Sequence, residues 1–224
     1  MKSDNGTFIT DTRDVADFDG IVMQDIGHVI IQQSDQELLT VEAEAELMPK
    51  IISEVRNHKL FLKIGRDWYE RIVRGMGFFH FEHLKYIVSM VTIHSLEISG
   101  AGQLEAARIS TDTIRIEISG QGDVVINELI GDSLALQTSG QGNVQIAGNV
   151  KEASIMVSGS GDIDCSNCHC QKVSVNISGR GNVKVWADSD LEISISGMGN
   201  VTYSGNPRMT QHISGLGEII HLES

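Results

Sequence analysis

The tetrapeptide Ser-Gly-x-Gly occurs seven times in the second half of this 224-residue chain, and successive copies start 18 to 20 residues apart. A fixed period of this length is typical of a solenoid, in which each repeat packs only against its neighbours. The copies comprise Ser99, Gly100, Gly102; Ser119, Gly120, Gly122; Ser139, Gly140, Gly142; Ser158, Gly159, Gly161; Ser178, Gly179, Gly181; Ser196, Gly197, Gly199; and Ser214, Gly215, Gly217.

Superposition of the repeats indicates which positions face inward. The residue before each serine is aliphatic in most copies, as is the residue two positions before that one; Ile118 and Ile116 are examples. An aliphatic residue also lies two positions after each second glycine, as at Val124. This alternation is typical of strands with one buried face. Since about 20 residues are too few for a strand, a helix and their loops, each repeat predicts one coil of a parallel β-helix.

The glycines and serines predict a backbone corner in every coil. Glycine permits a positive φ or a close approach of two backbones, and Ser, Asn and Asp bond to nearby backbone groups. The Asn or Asp after the second glycine, as at Asp123 and Asn143, should stack on its equivalents as a ladder. The last repeat departs from the pattern at Gln211, Glu218 and His221, as expected of a terminal cap.

The first part of the chain lacks the tetrapeptide but keeps a β pattern. We expect a polar arm at residues 1–14, a β-rich module at 15–95 and the β-helix at 96–224. The module contains an aromatic insert, which is a candidate partner surface, although aromatic side chains more often pack in a core. Its aromatic residues are Trp68, Tyr69, Phe78, Phe79 and Phe81.

Charge and hydropathy narrow the classes of partner. The net charge is −13, so the phosphates of a nucleic acid would be repelled. No apolar run is long enough to span a bilayer, so we expect no transmembrane segment. The segment from Met1 to Val15 carries no apolar export signal, which leaves a cytoplasmic location open.

The repeat Ser-Gly-x-Gly-Asn/Asp-Val/Ile, preceded by Phe18-Asp19-Gly20-Ile21, resembles the head GIN domain family of autotransporter adhesins. The resemblance extends from Val15 to Leu222. It implies an all-β, right-handed parallel β-helix that bacteria export to the periplasm or the cell surface. It also implies a non-enzymatic adhesion role, with no catalytic residues to carry over and no cofactor.

The segment from Cys165 to Cys170 is the local feature that most suggests a chemical function. Cys165, Cys168, His169 and Cys170 are weak candidates for a zinc or soft-metal site, because a structural zinc site needs four ligands and no second ligand pair follows. Cys165 falls in an inward aliphatic column, where a thiol packs as a small apolar group. We favour a structural role, with a Cys168–Cys170 disulfide and metal binding as alternatives.

Other chemistries receive less support from the motifs. Calcium-binding β-rolls use a shorter repeat with a regular carboxylate, and phosphate loops lead into a helix rather than a strand. The outward residues Glu97 and Glu117 would lie on adjacent coils, but the following coils carry Gln137, Met156 and Asn176 there. This loss of carboxylates argues against a polysaccharide-cleaving face.

The sequence therefore predicts a binding domain that presents a rigid face to an unknown glycan or protein. A self-associating β-helix scaffold of the bactofilin type, and then a glycan-active enzyme, are the alternatives. A homo-oligomer is compatible with each of these interpretations.

Overall fold

A computed structural model of the chain describes residues 7–65 and 84–222. These residues form β-strands and one 3-10 turn, Met48–Lys50. The strands are β1 (Phe8–Arg13), β2 (Gly20–Met23), β3 (Ile26–Gln33), β4 (Leu38–Glu44), β5 (Ile51–Arg56), β6 (Lys59–Ile64), β7 (Lys85–Met90), β8 (Ser95–Ile98), β9 (Ala101–Ala106), β10 (Ile109–Ile118), β11 (Gln121–Thr138), β12 (Val144–Val157), β13 (Ile163–Ile177), β14 (Val183–Ile195), β15 (Val201–Ser204), β16 (Arg208–Ile213) and β17 (Ile219–His221).

The repeats stack as coils of a parallel β-solenoid. β10 pairs with β11, β11 with β12, β12 with β13 and β13 with β14, always in parallel. Residues one repeat apart are direct neighbours, as Ile116 and Leu136 are. The all-β solenoid with a spacing of about 20 residues, predicted from the tetrapeptide, is confirmed.

The parallel stacking continues into the residues before the first tetrapeptide. β2 lies in register with β8, and β3 lies in register with β9, so that Gly20 is opposite Ser95 and Ile26 is opposite Ala101. The bend at Gln24 and Asp25 thus occupies the position of a corner without carrying the tetrapeptide.

Antiparallel strands flank this first part of the solenoid. β5 and β6 form a hairpin whose turn, Asn57–His58, has φ values of 49° and 60°. β4 pairs with β7 on one side and with β1 on the other. The region expected to be a polar arm therefore contains strand β1.

The core is a set of aliphatic columns that run along the solenoid axis. Val124, Ile126, Leu134 and Leu136 of one coil are each at most 2% exposed, and their equivalents in neighbouring coils are buried as well. Because each strand alternates between inward and outward residues, every coil buries apolar area against two neighbours. In the described part of the chain, no helix is long and apolar enough to cross a membrane.

The tetrapeptides lie at sharp bends where consecutive coils make unusually close contact. The N–H groups of Ser139 and Gly140 both donate to the carbonyl oxygen of Ile118, at 2.8 and 3.1 Å. The N–H of Gln141 then donates to the carbonyl oxygen of Gly120 at 2.8 Å. That same oxygen lies where a Cβ on Gly140 would be placed. The first glycine is therefore needed for backbone proximity.

We expect Gly140→Ala to lower the free energy of unfolding by about 3 kcal/mol or more, because its new methyl group would overlap backbone that two hydrogen bonds hold in place. Gly65→Ala is the matched control, since a Cβ there would lie 3.6 Å from the carbonyl oxygen of Lys50. The control should change stability by less than about 1 kcal/mol. Equal denaturation midpoints for the two variants would contradict this account.

Candidate binding groove

The Asn/Asp column after the corners forms the predicted ladder. Oδ1 of Asp123 accepts the backbone N–H of Asn143 at 2.9 Å, and Oδ1 of Asp162 accepts that of Asn182 at 2.9 Å. The ladder reaches the last coil, where the N–H of Glu218 donates to Oδ1 of Asn200 at 3.0 Å. The ladder prediction is confirmed. Each of these oxygens has a structural partner, which supports a structural role over calcium ligation.

The ladder can be tested at Asp162, whose Oδ1 also accepts the side-chain amide of Asn182 at 3.0 Å. Asp162→Ala should lower the free energy of unfolding by about 1 kcal/mol, because the N–H of Asn182 loses its partner. Asp162→Asn should be nearly neutral, since an amide oxygen accepts equally well. Calcium should not raise the melting temperature of the wild type, and a calcium-dependent rise would overturn the ladder interpretation.

The three cysteines point into the core. Cys165, Cys168 and Cys170 are free thiols at most 2% exposed, and Sγ of Cys170 lies 4.0 Å from that of Cys168. Burial raises the pKa of Cys165. The pKa of Cys170 is raised by the hydrogen bond that it donates to Cys168 and then by burial. Both of these thiols stay neutral, whereas thiolates are the form that binds metals. The same hydrogen bond lowers the pKa of Cys168, but one thiolate is too few for a structural metal site.

His169, the fourth weak metal candidate, points away from these thiols and is exposed. Among the described residues, no group of three His, Cys, Asp or Glu side chains could hold a metal ion. The cysteines thus occupy positions of the aliphatic columns, and Cys165 lies beside Val185 of the next coil.

The packing role of Cys165 predicts a larger loss of stability for a polar substitution than for an apolar one. Cys165→Ser should destabilise the protein by about 1–3 kcal/mol, because a hydroxyl would be buried without a partner. Cys165→Val should cost less than about 1.5 kcal/mol, since valine fills this column in the next coil. Thermal unfolding with and without zinc or a chelator distinguishes the roles. A metal-dependent melting temperature that Cys165→Val abolishes would contradict the packing role.

Each coil also bends a second time, between one Ser-Gly-x-Gly corner and the next along the chain, and a groove lies along this second bend. The groove has a volume of about 540 Å³. One side of it follows a column of equivalent residues, namely Ser110, Ile130, Asn149 and His169. The other side carries Asp112, Asp132, Lys151, Gln171 and Asp188. We call this feature the bend groove.

An aromatic pair ends the first column of the bend groove. The ring of His169 lies over that of Trp186 in the next coil, with 4.2 Å between centroids and a tilt of 38°. Nε1 of Trp186 donates to Oδ1 of Asp188 at 2.8 Å. Across the groove, Nζ of Lys151 lies 2.7 Å from Oδ1 of Asp132, and this hydrogen bond raises the pKa of Lys151. The groove thus combines aromatic faces with oriented carboxylates, amides and one ammonium.

The acidic pair considered from the sequence lies on a different face. Glu97 and Glu117 are opposite each other on β8 and β10. Nζ of Lys59 lies 3.5 Å from Oε2 of Glu97, and Arg115 forms an ion pair with Glu117. Each carboxylate therefore has a cationic neighbour. The aromatic insert, with Trp68, Tyr69, Phe78, Phe79 and Phe81, lies outside the described residues and stays a candidate partner surface.

Sequence reasoning included His169 but missed Trp186 and the carboxylates beside it. The strand register shifts between Cys165 and His169 and again between Cys170 and Lys172, so repeat counting does not align these residues. The available signal was a Trp followed two residues later by Asp in one coil, after an exposed His in the previous coil.

Taken together, the stacked coils, the packed interior and the polar edges define a β-solenoid whose outer surface is free to vary. Residues 17–207 match the model of the family described as putative auto-transporter adhesin, head GIN domain. The chain belongs to this family.

Solved structures share the fold over nearly the whole chain. A putative adhesin from Bacteroides fragilis is 24% identical with a TM-score of 0.87, covering 96% of this chain and 97% of its own. A putative adhesin from Parabacteroides distasonis is 21% identical with a TM-score of 0.72, covering 97% and 98%. A putative lipid binding protein from the same species is 22% identical with a TM-score of 0.71, covering 97% and 98%. No curated protein matches the chain.

Proposed function

We propose that this chain is a non-enzymatic adhesion domain, located at a bacterial surface or in the periplasm, that binds a glycan in the bend groove. Membership of an adhesin family supports the general role and the location. The observation that supports a glycan ligand is the exposed His169 ring, which lies against Trp186 at the end of a groove lined by carboxylates and amides.

The chemistry of the bend groove suits a sugar. The C–H face of a pyranose packs against an aromatic ring, and its hydroxyls need acceptors and donors at fixed places. His169 offers the ring face, while Asp188, Asn149 and Gln171 offer acceptors and donors nearby. The groove volume of about 540 Å³ lies within the usual range for small-ligand sites.

Charge selects among glycans. Asp112, Asp132 and Asp188 lie in the groove with Lys151 as the cation beside them, and the whole chain carries −13. A sulfated or uronic-acid glycan would be repelled by this field. We therefore expect neutral or amino sugars to bind.

The groove is also pre-organised. Its walls belong to strands that hydrogen bonds hold in register on both sides. The Trp186–Asp188 and Lys151–Asp132 contacts orient three of its side chains, Asp188, Lys151 and Asp132. Since little side-chain freedom is lost on binding, weak polar contacts can contribute measurable affinity.

The lipid-binding name of one structural neighbour does not suggest a comparable site here. An acyl chain needs an apolar cavity, but the interior columns of this solenoid are filled by side chains such as Val157 and Ile177, both 0% exposed. A catalytic role has equally little support, because Glu97 and Glu117 are held in ion pairs. The following coils carry Gln137, Met156 and Asn176 in the same column.

The test is a glycan array of neutral, amino and acidic glycans, followed by titration calorimetry of the bound class. His169→Ala and Trp186→Ala should each weaken binding about tenfold or more, because the stacking surface is lost. Glu192→Gln, on the face formed by the strands before the corners, is the control and should bind as the wild type does. Melting temperatures should confirm that the variants are folded.

Binding that survives both aromatic substitutions, or an exclusive preference for acidic glycans, would contradict the bend groove as the glycan site.

A further inference from the structure

Within the described residues, the last coil leaves the core columns uncovered at one end of the solenoid. Met209 and Ile213 of β16 continue the columns of Leu191 and Ile195, which are 2% and 0% exposed. Met209 and Ile213 themselves are 38% and 41% exposed. Leu216, Ile220 and Leu222 are exposed at the same end, at 72%, 41% and 50%. Gln211 and His221 make this surface more polar, as expected of a terminal cap, but the apolar side chains around them stay exposed.

The two strands of this end are also edge strands. Within the described residues, β16 pairs only with β14, and β17 pairs only with β15. The N–H of Ser214 donates to Ile195 and that of Leu222 donates to Tyr203, both in the preceding coil. The N–H and C=O groups of successive residues in a strand point to opposite sides. Because Ser214 faces the preceding coil, the N–H and C=O groups of Met209, Gln211 and Ile213 point away from the solenoid. Ile219 and His221 do so on β17.

The opposite end is closed in a different way. There the antiparallel strand β4 lies beside β7, and its inward residues Leu39, Val41 and Ala43 are 0% exposed. Nothing among residues 84–222 covers the last coil in the same manner. An unprotected edge with apolar side chains is a template for a further strand.

We propose that a second copy of this chain covers this end, in a symmetric dimer whose two-fold axis passes through Gln211. Antiparallel pairing of β16 about Gln211 places it opposite its own copy and places Met209 opposite Ile213 of the second copy. These are the residues with outward backbone groups, so each pair exchanges two hydrogen bonds. They are also the residues with inward side chains, so the two cores become continuous.

The same axis serves the second edge strand. One coil, from Ser196 to Ser214, is a step of 18 residues, and Gln211 and Ile220 are half of such a step apart. They therefore lie on opposite sides of the coil, and an axis that passes through one leaves the coil near the other. Pairing of β17 about Ile220 sets Ile219 opposite His221 of the second copy, and both belong to inward columns. The stacked rings of Tyr203 and His221, 4.6 Å apart, would then be buried at the joint.

Charge favours this register. Arg208 would lie opposite Ser214 of the second copy, and Thr210 opposite His212, so no like charges meet across the axis. A homodimer formed through one shared patch is the commonest closed assembly. It would place two bend grooves on one rigid body, which raises the avidity for a repeated ligand without any new contact. The dimer does not depend on what the groove binds.

Sedimentation velocity of the full chain tests the assembly. At about 100 µM we expect a species of twice the 24.4 kDa chain mass. Gln211→Lys places two like charges on the axis and should yield a folded monomer, whose melting temperature no longer rises with protein concentration. His212→Lys, on the outer face, is the matched control and should remain a dimer.

A cross-link tests the register. Hydrogen-bonded antiparallel neighbours have Cα atoms about 5.5 Å apart, which a disulfide can span. Gln211→Cys should form a covalent dimer under mild oxidation, whereas His212→Cys should not, and the buried native thiols should stay unreacted. A monomeric wild type at this concentration, or equal cross-linking of both cysteine variants, would overturn the proposal.

Discussion

Each coil of this solenoid meets the next through the bare Cα atoms of its corner glycines. The carbonyl oxygen of Gly120 lies where a Cβ on Gly140 would be, and Gly140 stands in the same relation to Gly159. This approach brings the strands on either side of the corner to hydrogen-bonding distance, since parallel strands are only about 4.8 Å apart. The aliphatic columns and the Asn/Asp ladder follow from that spacing, so the corner sets the geometry of the strands beside it.

In a coil of this kind the packed interior constrains which side chains fit, whereas packing places almost no constraint on the exterior side chains. Among the described residues the inward positions are almost all apolar, Thr138 being an exception, and Cys165 is used there as a small apolar side chain. The outward positions have no such requirement. Function in a protein of this kind is therefore expected on the outer edges, where a change of side chain does not disturb the stack.

The bend groove and the open end use this freedom differently. In the bend groove, His169 continues the column of Ser110, Ile130 and Asn149, and its ring lies against Trp186 of the next coil. At the open end, Met209, Gln211 and Ile213 combine outward hydrogen-bonding groups with inward side chains. In our proposals, the bend groove selects the glycan, and pairing at the open end sets how many grooves act together.

The repeat alone predicted the solenoid, its inward columns and the ladder, because these depend on residues at a fixed spacing that stack on their own equivalents. It did not predict that Gly20 to Ile31 join the stack, since Gln24 and Asp25 make their bend without the tetrapeptide. Nor did it pair His169 with Trp186, because register shifts on β13 and β14 break the count at that point. Contacts that follow the period can be read from the chain. Contacts created by a departure from it arise only when neighbouring coils are folded against each other.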